Sequence, residues 1–457
     1  MAIALEGGLH DSDEDGRAGQ PGQGRIVGWP ARFGFRPNLI TSIFTGRNAR
    51  DNNSPAAMAA GSEIPPLLAQ EDELSETAAD ANPRLVKESF IQFANDGPAV
   101  MEYFYARLFA ASPEARSLFP MSMTVQRERM FSALTKLVWS LDNHPGCEEM
   151  LSQLGREHRR FGVTERHFGM FFTALRDTAE HFIGPDGWTP PTSAAWQSAL
   201  DYFGSTMRTA AAEDADHSPP WWVAEIVGHE LRSPGVAVVR LRPDPPLPYT
   251  AGQYVQVQVT RWPRTWRPYS IANSPRPGGT IDLHVRAIPG GLVSNTLVHH
   301  SSVGDCVLLG AASGSMALTD SDRDLLCVAG GTGLAPIKAI IEQALSAHEA
   351  ERQRKITVFF GARQHFDLYD LEDLQLLEAA SQGLRVLPVL SDEPGYNGLT
   401  GMLPDVVIGQ QEAFENTEAY ICGPPAMVRR ATGLLSASIP LSQIQHDRLA
   451  EATQFAM

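Results

Sequence analysis

Arg267-Pro268-Tyr269-Ser270, preceded by the alternating run Tyr254-Val255-Gln256-Val257-Gln258-Val259 and followed by Ile271, is the stretch on which the reading of this chain turns. It sets on one extended segment an arginine able to pair with a diphosphate, an aromatic able to lie on a flat ring, and a hydroxyl able to hydrogen-bond that ring. These are groups a flavin needs. Four residues are a short motif, so its meaning depends on a nicotinamide site after it and an electron acceptor before it.

Outward from that stretch the hydrophobic period is two. Short strands are expected at 223–227, 236–241, 254–259, 280–286 and 305–309, punctuated by Pro and Gly, a spacing that suits a small antiparallel barrel. From about 322 strand alternates with helix. Strands at 325–329, 356–360, 384–390 and 419–422, with helices at 334–347, 368–380 and 425–437, predict a parallel sheet with crossover helices. Upstream the period is helical. Asn82-Pro83 is a cap followed by a proline at the first helical position, and Val100, Met101, Phe104, Tyr105, Leu108 and Phe109 form one apolar stripe. Further stripes run through Leu134, Leu137 and Val138, through Phe168, Phe171, Phe172 and Leu175, and through Trp196, Ala199, Leu200 and Phe203. The expected organisation is multidomain: a disordered tail at 1–80, an all-helical domain at 81–213, a β-barrel domain at 219–320 and an α/β domain at 321–457.

The totals narrow the function. At 457 residues the chain suggests about three domains on a prior of ~150 residues each. A formal net charge of -16 repels phosphate backbones and argues against nucleic acid as a partner. The nearest two of the four cysteines, Cys306 and Cys327, stand 21 residues apart, so no iron–sulfur or zinc spacing can be drawn. No apolar run reaches the ~18 residues of a membrane span. Met1 to Leu5 lacks the basic flank of a signal peptide, so a cytoplasmic location is expected. The tail has a basic stretch at 25–50 with interleaved aromatics, and its partner is unknown.

Gly331-Thr332-Gly333-Leu334-Ala335-Pro336 falls where the first strand of the α/β domain gives way to its helix. Glycines there admit a diphosphate to the backbone, and the helix N-terminus offers unpaired N–H groups. Alone, such a loop is also the mark of a tight turn. Cys422-Gly423-Pro424, with Met427 close behind, ends the last long strand, at the carboxyl edge where open sheets bind ligands.

The order Arg267 to Ser270, then Gly290-Gly291-Leu292-Val293-Ser294, then Gly331 to Pro336, then Cys422 to Met427 resembles the ferredoxin-reductase superfamily of flavin enzymes over roughly 220–450. The resemblance implies that Arg267, Pro268, Tyr269 and Ser270 hold FAD, with Tyr254 beside it. It implies that the backbone of Gly291, Leu292, Val293 and Ser294 meets the flavin diphosphate. The glycine turn and the Cys422 loop would take the nicotinamide nucleotide. Gly361-Ala362-Arg363 followed by Asp367-Leu368-Tyr369 resembles the NADH-using members, with NADPH as the alternative.

His158, read alone, is a helical histidine of the kind usually found on a surface or in a core, and Tyr105 reads as a core aromatic. Their setting changes that. Tyr105, Phe119, Gln126 and His158, in this order and spacing, resemble the globin domain of the flavohaemoglobins, and the resemblance then covers about 80–450. It implies haem b with His158 as axial ligand, Phe119 packed on the porphyrin, and Tyr105 and Gln126 placed to hydrogen-bond oxygen on the distal side. Two positions depart from the family. Where a tyrosine usually follows the histidine by ten residues there is Phe168, and where a glutamate sits late in the last globin helix there is Ala211. Both usual residues hydrogen-bond the haem histidine and raise its electron donation. The family also carries an aromatic near the flavin at the chain end, where this sequence offers His446 or Leu449.

The leading expectation is an NADH oxidoreductase that passes electrons through FAD to haem and oxidises nitric oxide to nitrate with O2. Phe168 and Ala211 keep open a haem–flavin reductase acting on another oxidant or a lipid or peroxide substrate. A gas or redox sensor acting through residues 1–80 is the third reading.

Overall fold

The structure is a computed structural model that describes residues 82–120, 122–348, 354–410 and 414–446. The expected tail and Leu449 lie outside the described residues.

The helical part comprises α1 (Pro83–Ile91), α2 (Gly97–Ala111), α3 (Thr124–Ser140), α4 (His144–His158), α5 (Glu165–Gly187) and α6 (Pro190–Ala215). Its start follows the sequence signal: the Asn82 side chain accepts a 3.3 Å hydrogen bond from the Leu85 N–H, and Pro83 opens the helix where no N–H is needed. The stripe of α2 buries Val100, Met101, Phe104, Tyr105 and Leu108. Helix α5 breaks at Gly184, whose φ of 73° no helix shares, just before Pro185. Gly155 brings α4 against α6. A Cβ at that position would collide with the Met207 carbonyl oxygen, so the helix that ends in His158 can seat this closely only with glycine there.

Six antiparallel strands follow: β1 (Trp222–Ser233), β2 (Val236–Asp244), β3 (Tyr254–Val259), β4 (Arg267–Ser270), β5 (Ile281–Arg286) and β6 (Cys306–Leu309). They pair in the order β4-β3-β6-β1-β2-β5, and an antiparallel bridge from Ile271 to Leu283 joins the two ends of the sheet. This is the barrel expected from the period-two runs. Its interior is filled by the inward residues of those runs, among them Ile226, Val239, Val255, Val257, Leu283 and Leu309. One element was not expected: 292–299, to which the sequence reading assigns no secondary structure, forms helix α7 (Leu292–His299).

The last part is a parallel sheet of β7 (Asp324–Gly330), β8 (Ile356–Ala362), β9 (Leu384–Leu390), β10 (Leu399–Thr400), β11 (Thr417–Cys422) and β12 (Ile444–His446) in the order β10-β9-β8-β7-β11-β12. Crossovers run through α8 (Leu334–His348), α9 (Leu371–Ala380), α10 (Leu403–Gln410) and α11 (Pro425–Leu435). The expected helix at 368–380 starts three residues late, because His365–Asp367 tighten into a 3-10 turn first. β10, α10 and β12 are additions to the sequence reading. Among the described residues no helix is long and apolar enough to cross a membrane.

Candidate functional site

The carboxyl edge of the parallel sheet carries both glycine motifs. Ala329 of β7 pairs with Cys422 of β11, and Gly330 pairs with Gly361 of β8, so three loops leave the sheet side by side. Gly331 (φ 55°) begins the 3-10 turn Gly331–Gly333, and Leu334, Ala335 and Pro336 begin α8. A Cβ on Gly333 would lie 2.5 Å from the Cys422 carbonyl oxygen, and one on Gly330 would lie 2.9 Å from Met427 Sδ. The two loops therefore touch through missing side chains. Thr332, Gly423, Pro424 and Met427 line a cleft of about 1170 Å³ that runs from Arg363, Asp367 and Ser391 past Gly330 to Ser270, Arg286 and His446. The cleft lies where α8 and α11 begin, and the positive end of a helix dipole suits a diphosphate. The cradle fits a dinucleotide.

The flavin segment reaches the same cleft through one of its residues. In the β3–β4 register Tyr254 stands opposite Ser270, Gln256 opposite Pro268, Val255 opposite Tyr269 and Val257 opposite Arg267. Strand alternation thus puts Ser270 and Pro268 on the face of Tyr254, and Tyr269 and Arg267 on the other. The sequence placed these four on one segment; it did not show that they divide between two faces. Arg267 is exposed, and its guanidinium donates a 2.7 Å hydrogen bond to the Trp266 carbonyl. Burial pushes the Tyr269 phenol well above its usual range, so it stays neutral. The Gly291 turn is fixed by Asn295, whose amide donates to the Gly291 and Ile288 carbonyls at 2.6 and 2.7 Å. Leu292, Val293 and Ser294 form the first turn of α7, whose N-cap makes no side-chain hydrogen bond. That helix is the signal the sequence reading missed: it gives the expected backbone contact a row of free N–H groups.

At the end of α4, His158 Nδ1 donates a 2.6 Å hydrogen bond to the Leu154 carbonyl, which leaves Nε2 as the ring's lone-pair nitrogen. Burial, the largest cause, pulls the ring's pKa below the ordinary histidine range, and the Leu154 bond opposes it in part. A neutral imidazole of fixed tautomer is the donor haem iron takes. Phe168 lies with its ring 6.5 Å from the imidazole. Ala211 is on α6, and Glu213 is exposed there, so neither offers His158 a carboxylate. Instead Arg159, the next residue, ties α4 to the end of α6 through the Asp214 carboxylate and a 2.7 Å bond to the Ser218 carbonyl. Elsewhere in the same apolar core, Gln126 Nε2 donates a 3.3 Å hydrogen bond to the Tyr105 hydroxyl. Both are almost fully buried, and burial raises the Tyr105 pKa far above the usual phenol value. Phe119 meets Tyr105 edge-on at 5.4 Å. The donor set fits haem.

Comparison with known proteins agrees with this division. Residues 102–207 match the globin family model, 224–317 the oxidoreductase FAD-binding domain and 327–432 the oxidoreductase NAD-binding domain. The xylene/toluene monooxygenase electron transfer component XylA of Pseudomonas putida is 36% identical over 211 residues, 45% of this chain and 59% of that protein. The phenol 2-monooxygenase reductase component DmpP of a Pseudomonas strain is 33% identical over 204 residues, 44% of this chain and 57% of that protein. The chain thus spans less than two thirds of the length of these curated relatives. The crystal structure of a flavohaemoglobin from Malassezia yamatoensis, with bound FAD and haem, is similar in fold: TM-score 0.65, 17% identity, 82% of this chain and 98% of that one.

Fold and family models define an NAD(P)H oxidoreductase that serves nicotinamide nucleotide, FAD and haem. More particularly, the chain joins a globin domain to oxidoreductase FAD-binding and NAD-binding domains in that order, and its fold is similar to that of the flavohaemoglobin structure.

Proposed function

We propose that this chain is an NADH-dependent nitric oxide dioxygenase. When bound, FAD turns the two-electron donor NADH into a source of single electrons, and haem supplies the reducible iron at which O2 and nitric oxide are converted to nitrate. The protein's own residues do the rest. Gly331, Thr332 and Gly333 and the Cys422, Gly423, Pro424 and Met427 loop hold the dinucleotide, Leu334, Ala335 and Pro336 being buried behind them, with Asp367 in the cleft to meet ribose hydroxyls rather than a phosphate. Arg267, Pro268, Tyr269, Ser270 and Tyr254, with the α7 N-terminus, hold FAD. His158 binds the iron through Nε2.

The observation that carries the reading is the Tyr105–Gln126 pair. The Gln126 amide occupies the acceptor side of the phenol oxygen, so the hydroxyl proton is left to point elsewhere, and burial keeps that proton on. A buried, permanently protonated donor suits the polarised oxygen of a haem pocket. Tyr105→Phe removes the donor and, with it, the acceptor of the Gln126 amide. With NADH and O2, nitric oxide consumption should fall by about ten- to a hundred-fold, the value of one hydrogen bond to a charged group. Equal rates in the two proteins would count against the dioxygenase.

Phe168 and Ala211 favour a second reading, in which the same electron flow serves another oxidant or a lipid or peroxide substrate. Full nitric oxide turnover lost in Tyr105→Phe, alongside unchanged peroxide reduction, separates the two. The sensor reading rests on residues 1–80, which lie outside the described residues.

A further inference from the structure

Three side chains join the helical part of the molecule to the flavin segment. Phe161, three residues past His158, sets its ring 6.2 Å from the imidazole and meets the Trp266 indole edge-on at 6.4 Å. Trp266 is 1% exposed and directly precedes Arg267. Over both rings lies Arg160, its guanidinium carbon 4.9 Å from the Phe161 centroid and 5.8 Å from that of Trp266. The Cβ that Gly310 lacks would stand 3.8 Å from Arg160 Cδ and 3.3 Å from Gln256 Cβ, so the arginine and the buried glutamine of β3 converge at one point of the barrel.

Arg160 is an expensive residue in that position. It is 9% exposed, its Nε has no hydrogen-bond partner among the described residues, and its ion pair with Glu157 is 3.4 Å long. The Gln256 amide oxygen is likewise buried without a partner among the described residues. Burying a cation whose hydrogen bonds are incomplete opposes folding, and an apolar side chain of similar volume does as well or better. Stability therefore does not explain it. What Arg160 does supply is a broad, delocalised cation whose guanidinium carbon stands 4.9 and 5.8 Å from the two ring centroids at once.

We infer that the Arg160–Phe161–Trp266 stack is the joint that fixes the His158 segment against the flavin segment for electron transfer, with Arg160 as its positioning residue. The inference rests on the electron flow proposed above: bound NADH would give the flavin two electrons and a proton as hydride, the flavin would pass one electron to the single ferric haem and the second once the first has been consumed there, and the proton would leave to solvent.

The test is anaerobic stopped-flow mixing of the holoprotein with NADH, following the flavin and Soret bands separately, for wild type, Arg160→Met and Arg160→Lys. Methionine keeps most of the volume and removes the buried charge, so this variant is expected to fold. Flavin should bleach at the wild-type rate in all three, while haem reduction slows about tenfold in both variants, because neither methionine nor lysine can hold a broad, delocalised cation within reach of both ring centroids. Hydrogen exchange of the oxidised proteins gives the second readout: faster exchange confined to 158–161 and 254–270 supports the joint. Haem reduction at the wild-type rate in either variant overturns it, and so does exchange raised throughout the helical part. A wild type whose flavin bleaches while its haem stays ferric overturns the electron flow itself, a result distinct from variants that match a competent wild type.

Discussion

The Tyr105 and His158 sides of the helical core are built on opposite plans. Around Tyr105 the core spends two buried polar side chains on each other, a phenol and an amide 3.3 Å apart, amid Phe104, Phe109 and Phe119. Around His158 the aromatic neighbours are Phe161 and Phe168, and among the described residues the ring's hydrogen bond is to a backbone carbonyl. A carbonyl orients an imidazole without adding to its negative charge, whereas a carboxylate or phenol would make it a stronger donor to a metal. The difference is that the histidine side provides orientation without a carboxylate or phenol to raise electron donation, while the tyrosine side keeps a buried, protonated hydroxyl.

That contrast can be broken at several points. The largest effect belongs to His158→Ala, which removes the sole imidazole that ends α4; the purified protein should lack a Soret band yet still bleach its flavin with NADH. Next comes Tyr105→Phe, for which O2 should leave the ferrous protein about ten- to a hundred-fold faster by flash photolysis, from the loss of ~1.5–3 kcal/mol of hydrogen bonding. Similar in size but located in the other half is the acid response of His284. This buried ring, 2.8 Å from the Tyr369 hydroxyl, has its pKa pushed down to about 3, burial being the largest cause. A pKa depressed on folding means that stability is full above the unfolded value near 6.5 and is lost as pH falls below it. The unfolding free energy of the FAD–NAD half should therefore fall by about 2 kcal/mol between about pH 7 and 5, and His284→Gln should flatten that slope in denaturant titrations. The smallest effect is the most pointed for the comparison. Phe168→Tyr places a phenol beside His158 and should lower the haem reduction potential by roughly tens of millivolts in spectroelectrochemistry; an unchanged potential would show that the apolar surroundings are not what sets it.

Much of this was legible before any coordinates. Period-two runs between glycines and prolines can bury one face only by closing on one another, and they do so through Ile271 and Leu283. The glycine turn at Gly331 and the loop at Cys422 announce their contact because only residues without Cβ could make it. Strand alternation, by contrast, depends on register. Nothing local in Arg267-Pro268-Tyr269-Ser270 says that Ser270 reaches the nucleotide cleft while Arg267 and Tyr269 face the other way. Helix α7 stayed hidden because Leu292 to His299 is only eight residues long and follows two glycines. Arg160 was invisible for a different reason: an arginine beside a histidine and a second arginine reads as a solvated helix end, and only tertiary packing makes it a buried cation between two rings.

In the function proposed above, electrons from NADH reach a haem held by His158 and are used there on nitric oxide and O2. Following NADH loss and nitrate formation together in aerated holoprotein, with and without nitric oxide, tests it most directly. Nitrate should appear in step with NADH loss when nitric oxide is present, and His158→Ala should abolish it. NADH oxidation that proceeds at one rate whether or not nitric oxide is added, with no nitrate formed, would contradict the account.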